Sequence, residues 1–329
     1  MEAITQRYHD RQVLAWLLTG CALIAAMVVI GGITRLTESG LSMVDWRLIG
    51  GTIPPLSERD WMERFVQYKQ FPEFKLQHSH FGLAEFKSIF WWEYIHRLLG
   101  RLIGIIFLVP CVYFALKKKF RPSFSLRIVL LFVLGAFQGF LGWFMVRSGL
   151  VDRPDVSHYR LAIHLLAAFA LYAYTLWLAL DLWSIERKSG SAGSLTLLRN
   201  WVWVSLSVAV LQITYGAFVA GLKAGYVFPT FPKMGAEWIP AQIGLAFASH
   251  GARSLFEDIT TVQFIHRSLA FVFLICVGFM WLSARRYSLR TDQRVGIAAC
   301  VSLTAAQFGL GVLTLIQGVP CLLYTSDAA

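Results

Sequence analysis

The chain has 329 residues, of which 57% are hydrophobic and only 15% are charged. Its mean hydropathy is +0.58. This composition excludes an ordinary soluble domain and is typical of a protein with several membrane spans. The net charge of +11 is therefore interpreted as membrane topology, and no nucleic-acid partner is expected.

Seven apolar segments are long enough to cross ~30 Å of hydrocarbon as helices. Lipid cannot satisfy open backbone groups, so helices are the expected form. The predicted fold class is an all-α polytopic membrane protein. Its spans are predicted at residues 13–34, 91–116, 125–147, 158–184, 199–222, 260–284 and 294–318.

Lysine and arginine indicate the orientation of these spans. A cytoplasmic N-terminus places more of them in the inner segments than in the short outer loops, as the positive-inside rule requires. The first span is too long for a signal-peptide core and lacks a small-residue cleavage site. Because no Arg- and Ser-rich transit peptide precedes it, the bacterial cytoplasmic (inner) membrane is favoured over the mitochondrial inner membrane. The five cysteines lie in or beside spans and are interpreted as small buried residues.

Similar motifs recur in the same order in the two halves of the chain. EYIHR at 93–97 matches QFIHR at 263–267, and GGITRLTESG at 31–40 echoes GAFVAGLKAG at 216–225. QGFLGWFMVRSG, which begins at Gln138, likewise matches QFGLGVLTLIQG, which begins at Gln307. Self-similarity of this kind predicts two tandem four-helix units that run in the same direction.

The predicted boundaries follow from these motifs. The first unit covers residues 1–186 and includes a long outer loop at 35–90, and a cytoplasmic linker follows at 187–198. The second unit, 199–320, holds spans five to seven. We expect an eighth helix to be absent and residues 321–329, CLLYTSDAA, to be a truncated or non-native tail, because they are too short and polar to span.

Three of the eight histidines, His96, His164 and His266, lie inside predicted spans. An ionisable residue there predicts a functional site, although a single histidine can also be hydrogen-bonded between packed helices. All three fall in one layer, ~8 Å below the outer ends of their spans at ~1.5 Å per residue. Because His96 and His164 lie on parallel helices of one unit, they suit a pair of axial haem ligands.

Glu93 precedes His96 by one helical turn and shares its face, whereas the second unit has Gln263 before His266. A carboxylate at the membrane edge is either a working group or an ion-pair partner, here of Arg97 or Arg101. Both interpretations stay open from the spacing. Gly100 and Gly104 continue the His96 face and either leave room for a macrocycle or allow close helix packing.

A family resemblance is carried by GGITRLTESGLSMVDW, EFKSIFWWEYIHRLLGRLIG, QGFLGWFMVRSGL, HYRLAIHL and QFIHR. These motifs resemble the haem A synthase family (Cox15/CtaA) over nearly the whole chain up to Pro320. The resemblance implies eight helices in two bundles. It also implies an oxidoreductase that oxidises a methyl group of haem O to the formyl group of haem A, for terminal oxidases. The first outer loop has no cysteine pair, and in this respect the chain resembles the proteobacterial–mitochondrial branch of the family.

The resemblance also implies roles for individual residues. His96 and His164 would ligate the iron of the substrate haem O, Glu93 would be catalytic, and His266 would ligate a haem b cofactor in the second unit. Arg97 and Arg267 are candidates for binding haem propionates.

Expected partners are haem O, the haem O synthase that supplies it and the lipid bilayer. The sequence is also compatible with a homo-oligomer. An alternative is a non-catalytic di-haem b-type membrane electron carrier, which needs the histidines but not Glu93. A transporter is disfavoured because the polar groups lie in one outer layer and do not line a path through the bilayer.

Overall fold

The computed structural model describes residues 2–44, 51–148, 156–184 and 195–319. Within these ranges the regular structure is helical, apart from one isolated β-bridge between Met234 and Glu237. The chain divides into two compact units, Met1–Lys188 and Ser189–Ala329. The all-α class predicted from composition is confirmed. The predicted tail at 321–329 lies outside the described residues.

Seven of the helices in the described ranges are long and apolar enough to cross a membrane, as the sequence predicts. They are α1, α4, α5, α6, α7, α10 and α11. In chain order the helices are α1 (Glu2–Leu36), α2 (Glu58–Tyr68), α3 (Pro72–Leu76), α4 (Leu83–Leu116), α5 (Pro122–Arg147), α6 (His158–Ser184), α7 (Thr196–Gly221), α8 (Ala241–His250), α9 (Ser254–Glu257), α10 (Ile259–Ala284) and α11 (Thr291–Ile316).

Helix α4 begins at Leu83, before the span predicted from residue 91. The added turns are amphipathic, and Phe86, Ile89 and Phe90 are buried. They pack against the face of α2 that carries Trp61 and Phe65. Tertiary packing of the outer loop therefore extends the helix, because these turns gain an apolar surface that hydropathy alone does not provide.

Helix α2 forms a cap over the outer end of α4. Its N-terminus is fixed by a capping box, in which Asp60 N–H donates to Ser57 Oγ and Ser57 N–H donates to Asp60 Oδ2, both at 3.1 Å. Trp61 lies edge-to-face on Phe90, with ring centroids 5.0 Å apart. This part of the outer loop is consequently a packed layer with a core of its own.

The first unit also has an apolar core and two ion pairs near the ends of its helices. Trp16 and Leu17 of α1 pack with Phe107 of α4 and Leu178 of α6 in one buried cluster. Arg121 pairs with Asp10 and Arg127 pairs with Asp181, each at 2.5 Å. Helix α1 packs against both α4 and α6, and α5 packs against α6.

In the second unit, α10 is the central helix and packs against α7 and α11. One buried cluster contains Leu198 of α7 with Val277 and Met280 of α10. Helix α11 has no buried residue within the described chain, and its Gln307 and Gly311 are exposed. These two residues match Gln138 and Gly142 of the first unit in sequence.

Gly20 of α1 tests the packing of the first unit. A Cβ atom built on Gly20 would lie 2.0 Å from Cζ of Phe107, whereas one built on Gly32 of the same helix meets nothing within 4 Å. We expect Gly20→Ala to destabilise the unit by about 1–3 kcal/mol through overpacking. Gly32→Ala is the matched control and should leave the thermal unfolding midpoint in detergent unchanged. Equal midpoints for the two variants would contradict this packing.

Candidate functional site

His96 projects from α4 onto the backbone of α1. A Cβ atom built on Gly31 would lie 3.3 Å from Nε2 of His96, so the imidazole occupies the space that a side chain would need. Glycine at this position allows the ring to reach the α1 backbone. The contact explains why the motif that begins at Gly31 recurs together with the histidine motif.

His164 makes the equivalent contact within the other helix pair of the unit. Its ring lies over Gly142 of α5, where an added Cβ would be 3.2 Å from Cε1. Gln138, one turn earlier on α5, places its Nε2 3.2 Å from Nδ1 of His164 and donates to the His164 carbonyl oxygen at 3.1 Å. An amide nitrogen only donates, so this contact selects the tautomer of His164 in which Nδ1 carries no proton.

The two imidazoles of the first unit lie near one another. His164 is close enough to His96 for the two rings to interact electrostatically. They come from α4 and α6, and both of these helices pack against α1. The assignment of this pair to haem iron stays a prediction.

The second unit repeats one half of this arrangement. The ring of His266 lies over Gly216 of α7, where an added Cβ would be 3.2 Å from Cε1. Nδ1 of His266 is buried without a hydrogen-bond partner among the described residues, and Nε2 lies 3.5 Å from Nε2 of Gln212. A buried imidazole nitrogen without a hydrogen-bond partner is unusual in proteins.

Glu93 is buried in an ion pair, one of the two interpretations that the sequence left open. Arg97, one turn later on α4, donates to its Oε1 at 2.5 Å. The hydroxyl of Ser42 and the backbone N–H of Met43 both donate to its Oε2 at 2.7 Å. Only 3% of the Glu93 side chain is exposed. The carboxylate is therefore fixed between α4 and the turn that follows α1.

Gln263, the counterpart of Glu93, also contacts the segment that follows the first helix of its unit. Its Nε2 donates to the carbonyl oxygens of Phe228, at 3.3 Å, and Gly225, at 3.5 Å. The amide faces backbone acceptors, whereas Glu93 faces donors. In the first unit the facing turn thus donates hydrogen bonds to Glu93, and in the second unit the facing segment accepts them from Gln263.

Arg97 and Arg267 have the same structural role in the two units. The guanidinium of Arg97 donates to the carbonyl oxygen of Met43 at 2.9 Å. That of Arg267 donates to the carbonyl oxygens of Phe228 and, at 2.7 Å, Thr230. Each arginine fastens an outer segment to the helix that carries the histidine. Their assignment to haem propionates stays a prediction.

Gly100 and Gly104, both predicted to continue the His96 face, have different surroundings. A Cβ atom on Gly100 would lie 3.2 Å from Cε of Met27 in α1, which matches the helix-packing interpretation. A Cβ atom on Gly104 would meet nothing within 4 Å. The glycines that contact histidine rings are instead Gly31, Gly142 and Gly216. They lie on neighbouring helices. Each belongs to one of the repeated motifs, and that repetition is the feature of the sequence that points to them.

A second buried polar cluster stabilises the outer loop beside this site. The hydroxyl of Tyr68 donates to Glu73 at 3.0 Å and lies 2.7 Å from Nδ1 of His78, whose ring stacks on Phe81. Burial, reinforced by the carboxylate of Glu73, raises the pKa of Tyr68 far above its usual value. Tyr68 therefore stays protonated and keeps donating. His78 is itself buried and hydrogen-bonded.

Comparison with known proteins gives the family. The model of the COX15-CtaA family, described as cytochrome oxidase assembly protein, matches residues 14–325. The chain belongs to this family. No solved structure matches the chain.

Relatives in the family come from bacteria and from mammals. A Flavobacterium psychrophilum protein named heme A synthase is 45% identical over 95% of this chain and 91% of its own length. The heme A synthase of Nitrosospira multiformis is 43% identical over 97% of this chain and 89% of its own length. Heme A synthase COX15 of Bos taurus is 42% identical over 97% of this chain and 78% of its own length.

Gly142 tests whether the contact between His164 and α5 supports haem binding by this family member. We expect Gly142→Val to displace the imidazole, because a Cβ atom there already lies 3.2 Å from the ring and valine adds two methyl groups. The measurement is the ratio of haem absorbance to protein after purification, which should fall. Gly139→Val, on the same helix where a Cβ meets nothing within 4 Å, is the control. Equal ratios would show that the ring position is irrelevant to haem.

Proposed function

We propose that the chain is a haem A synthase that oxidises a methyl group of haem O to the formyl group of haem A. The observation that carries the proposal is the buried carboxylate of Glu93, one turn before His96 on the same helix. Its relatives carry the name heme A synthase. We place the chain in a bacterial inner membrane with a cytoplasmic N-terminus.

The residues of the first unit fit a haem substrate. His96 and His164 supply two imidazoles from different helices, and imidazole is a standard axial ligand of haem iron. We assign His96 and His164 as the ligands of the substrate haem O.

His266 is the proposed ligand of a haem b cofactor in the second unit. Its buried Nδ1, unpartnered within the described chain, and the glycine beneath its ring fit that group. Haem b would supply one-electron redox chemistry when bound. The role of the chain's own residues is to hold the ring, with Gln212 beside Nε2 and Gly216 against Cε1.

Glu93 is the proposed catalytic residue, and its surroundings favour an electrostatic role. The carboxylate is held by three donors, from Arg97, Ser42 and Met43. A carboxylate has about four acceptor sites, so capacity remains. Such a group is a preorganised negative charge that stabilises positive charge developing at the reacting methyl carbon. Its fixed geometry costs no reorganisation during the reaction.

The test is haem A formation in a host that lacks haem A, with haem extracted and typed by chromatography. We expect Glu93→Gln to lower haem A formation about a hundredfold while haem remains bound. Glutamine has nearly the shape of glutamate but leaves the buried Arg97 without its charged partner, so the thermal unfolding midpoint of the variant is measured beside haem A to separate a loss of fold from a loss of activity. Glu58→Gln, which neutralises an exposed carboxylate of α2, is the control and should leave haem A unchanged.

Each other outcome removes a defined part of the proposal. Unchanged haem A with Glu93→Gln would exclude Glu93 from the reaction. Bound haem without any haem A from the unmodified chain would favour the b-type electron carrier. A purified protein without haem absorbance would reject both functions.

A further inference from the structure

The turn that follows α1 supplies donors to Glu93 from its side chain as well as its backbone. Ser42 is 2% exposed, and its hydroxyl lies 2.7 Å from Oε2 of Glu93 and 3.0 Å from the carbonyl oxygen of Ser39. A serine hydroxyl has one proton to donate. The shorter contact, to a charged acceptor, is the stronger hydrogen bond. Ser42 therefore donates to the carboxylate.

The turn itself is firmly built. The Oγ atoms of Ser39 and Thr37 lie 2.6 Å apart, and Ser39 N–H donates to the carbonyl oxygen of Thr34 at 3.0 Å. All three of these side chains are buried. On the opposite side, Arg97 binds the Met43 carbonyl oxygen. The hydroxyl of Ser42 is thus held in place independently of its bond to Glu93.

Comparison of the two units isolates Ser42. When the motifs that begin at Gly31 and Gly216 are aligned, Ser42 and Met43 correspond to Val227 and Phe228. The arginine contact to Met43 recurs at Phe228. Valine, however, has no hydroxyl. The hydroxyl is present in the unit that has the acid and absent from the unit that has Gln263, although the arginine contact is common to both.

We propose that Ser42 is a positioning residue for Glu93, whose hydroxyl fixes the carboxylate in the orientation that the oxidation of the haem methyl group requires. The inference rests on the proposed function. It assigns to the outer loop a part in the reaction that is distinct from covering the site, because the loop aims the charge. Arg97 holds the turn by its hydrogen bond to the Met43 carbonyl oxygen, and Ser42 of that turn holds Oε2 of Glu93.

The test compares Ser42→Thr with Ser42→Val, two replacements of nearly the same shape that differ by the hydroxyl. Haem A is measured as for Glu93→Gln, together with the ratio of bound haem to protein. We expect Ser42→Thr to retain haem A formation and Ser42→Val to lower it about tenfold, with haem still bound. Thr175→Val is the control, because it removes a buried hydroxyl of α6 that donates to the Leu171 carbonyl oxygen, and it should behave like the unmodified chain.

The outcomes separate this inference from the proposed function. Haem A at the unmodified rate from Ser42→Val, with Glu93→Gln inactive, overturns the role of Ser42 alone. The smaller variant Ser42→Ala guards against a steric effect of valine. If Val and Ala both lose bound haem, the hydroxyl serves the fold and the inference is overturned. No haem A from the unmodified chain instead overturns the proposed function.

Discussion

The outer end of the first unit depends on one interaction, the buried ion pair of Glu93 with Arg97. Neither charge could be left alone in this position, since removing one partner of a buried pair costs ~3–5 kcal/mol. The pair is completed by groups from outside α4: Ser42 and Met43 donate to the acid, and the Met43 carbonyl oxygen accepts from the arginine. The charge thus couples the histidine-bearing helix to the turn after α1. If the loop moves, the carboxylate loses the two donors that Ser42 and Met43 provide.

The two units show which contacts serve the architecture and which accompany the acid. Both place a histidine ring on a glycine of the preceding long apolar helix, and in both the arginine that follows the histidine binds the segment after that helix. These contacts are present in both units, so they do not depend on the acid at position 93. Glu93 and Ser42 occur together in the first unit, where Gln263 and Val227 stand in the second. Because an amide can meet carbonyl acceptors and a carboxylate cannot, the facing turn and the side chain have to change together.

The packing of the outer loop explains how the carboxylate of Glu93 is held in a fixed position. Helix α2 and the extended start of α4 share an aromatic core, and Tyr68 with Glu73 and His78 adds a buried hydrogen-bonded cluster. Such a loop has few conformations available to it, so the entropy of ordering the turn at Ser42 is lost on folding and not during the reaction. The same packing accounts for the helical turns at Leu83 that hydropathy did not predict.

The sequence by itself determined the seven spans, since an apolar run of this length has no other stable environment than a bilayer. It also showed the pairing of the motifs, because repetition makes matching positions visible, and it predicts a common layer for the three histidines. Only the tertiary structure decided what Glu93 touches, since Ser42 and Glu93 are far apart in the chain and local periodicity carries no signal of their contact. The spacing allowed Glu93 either to pair with Arg97 or to work. The structure shows the ion pair, and that pair, with Ser42 and Met43, is what positions the acid for the chemistry proposed here.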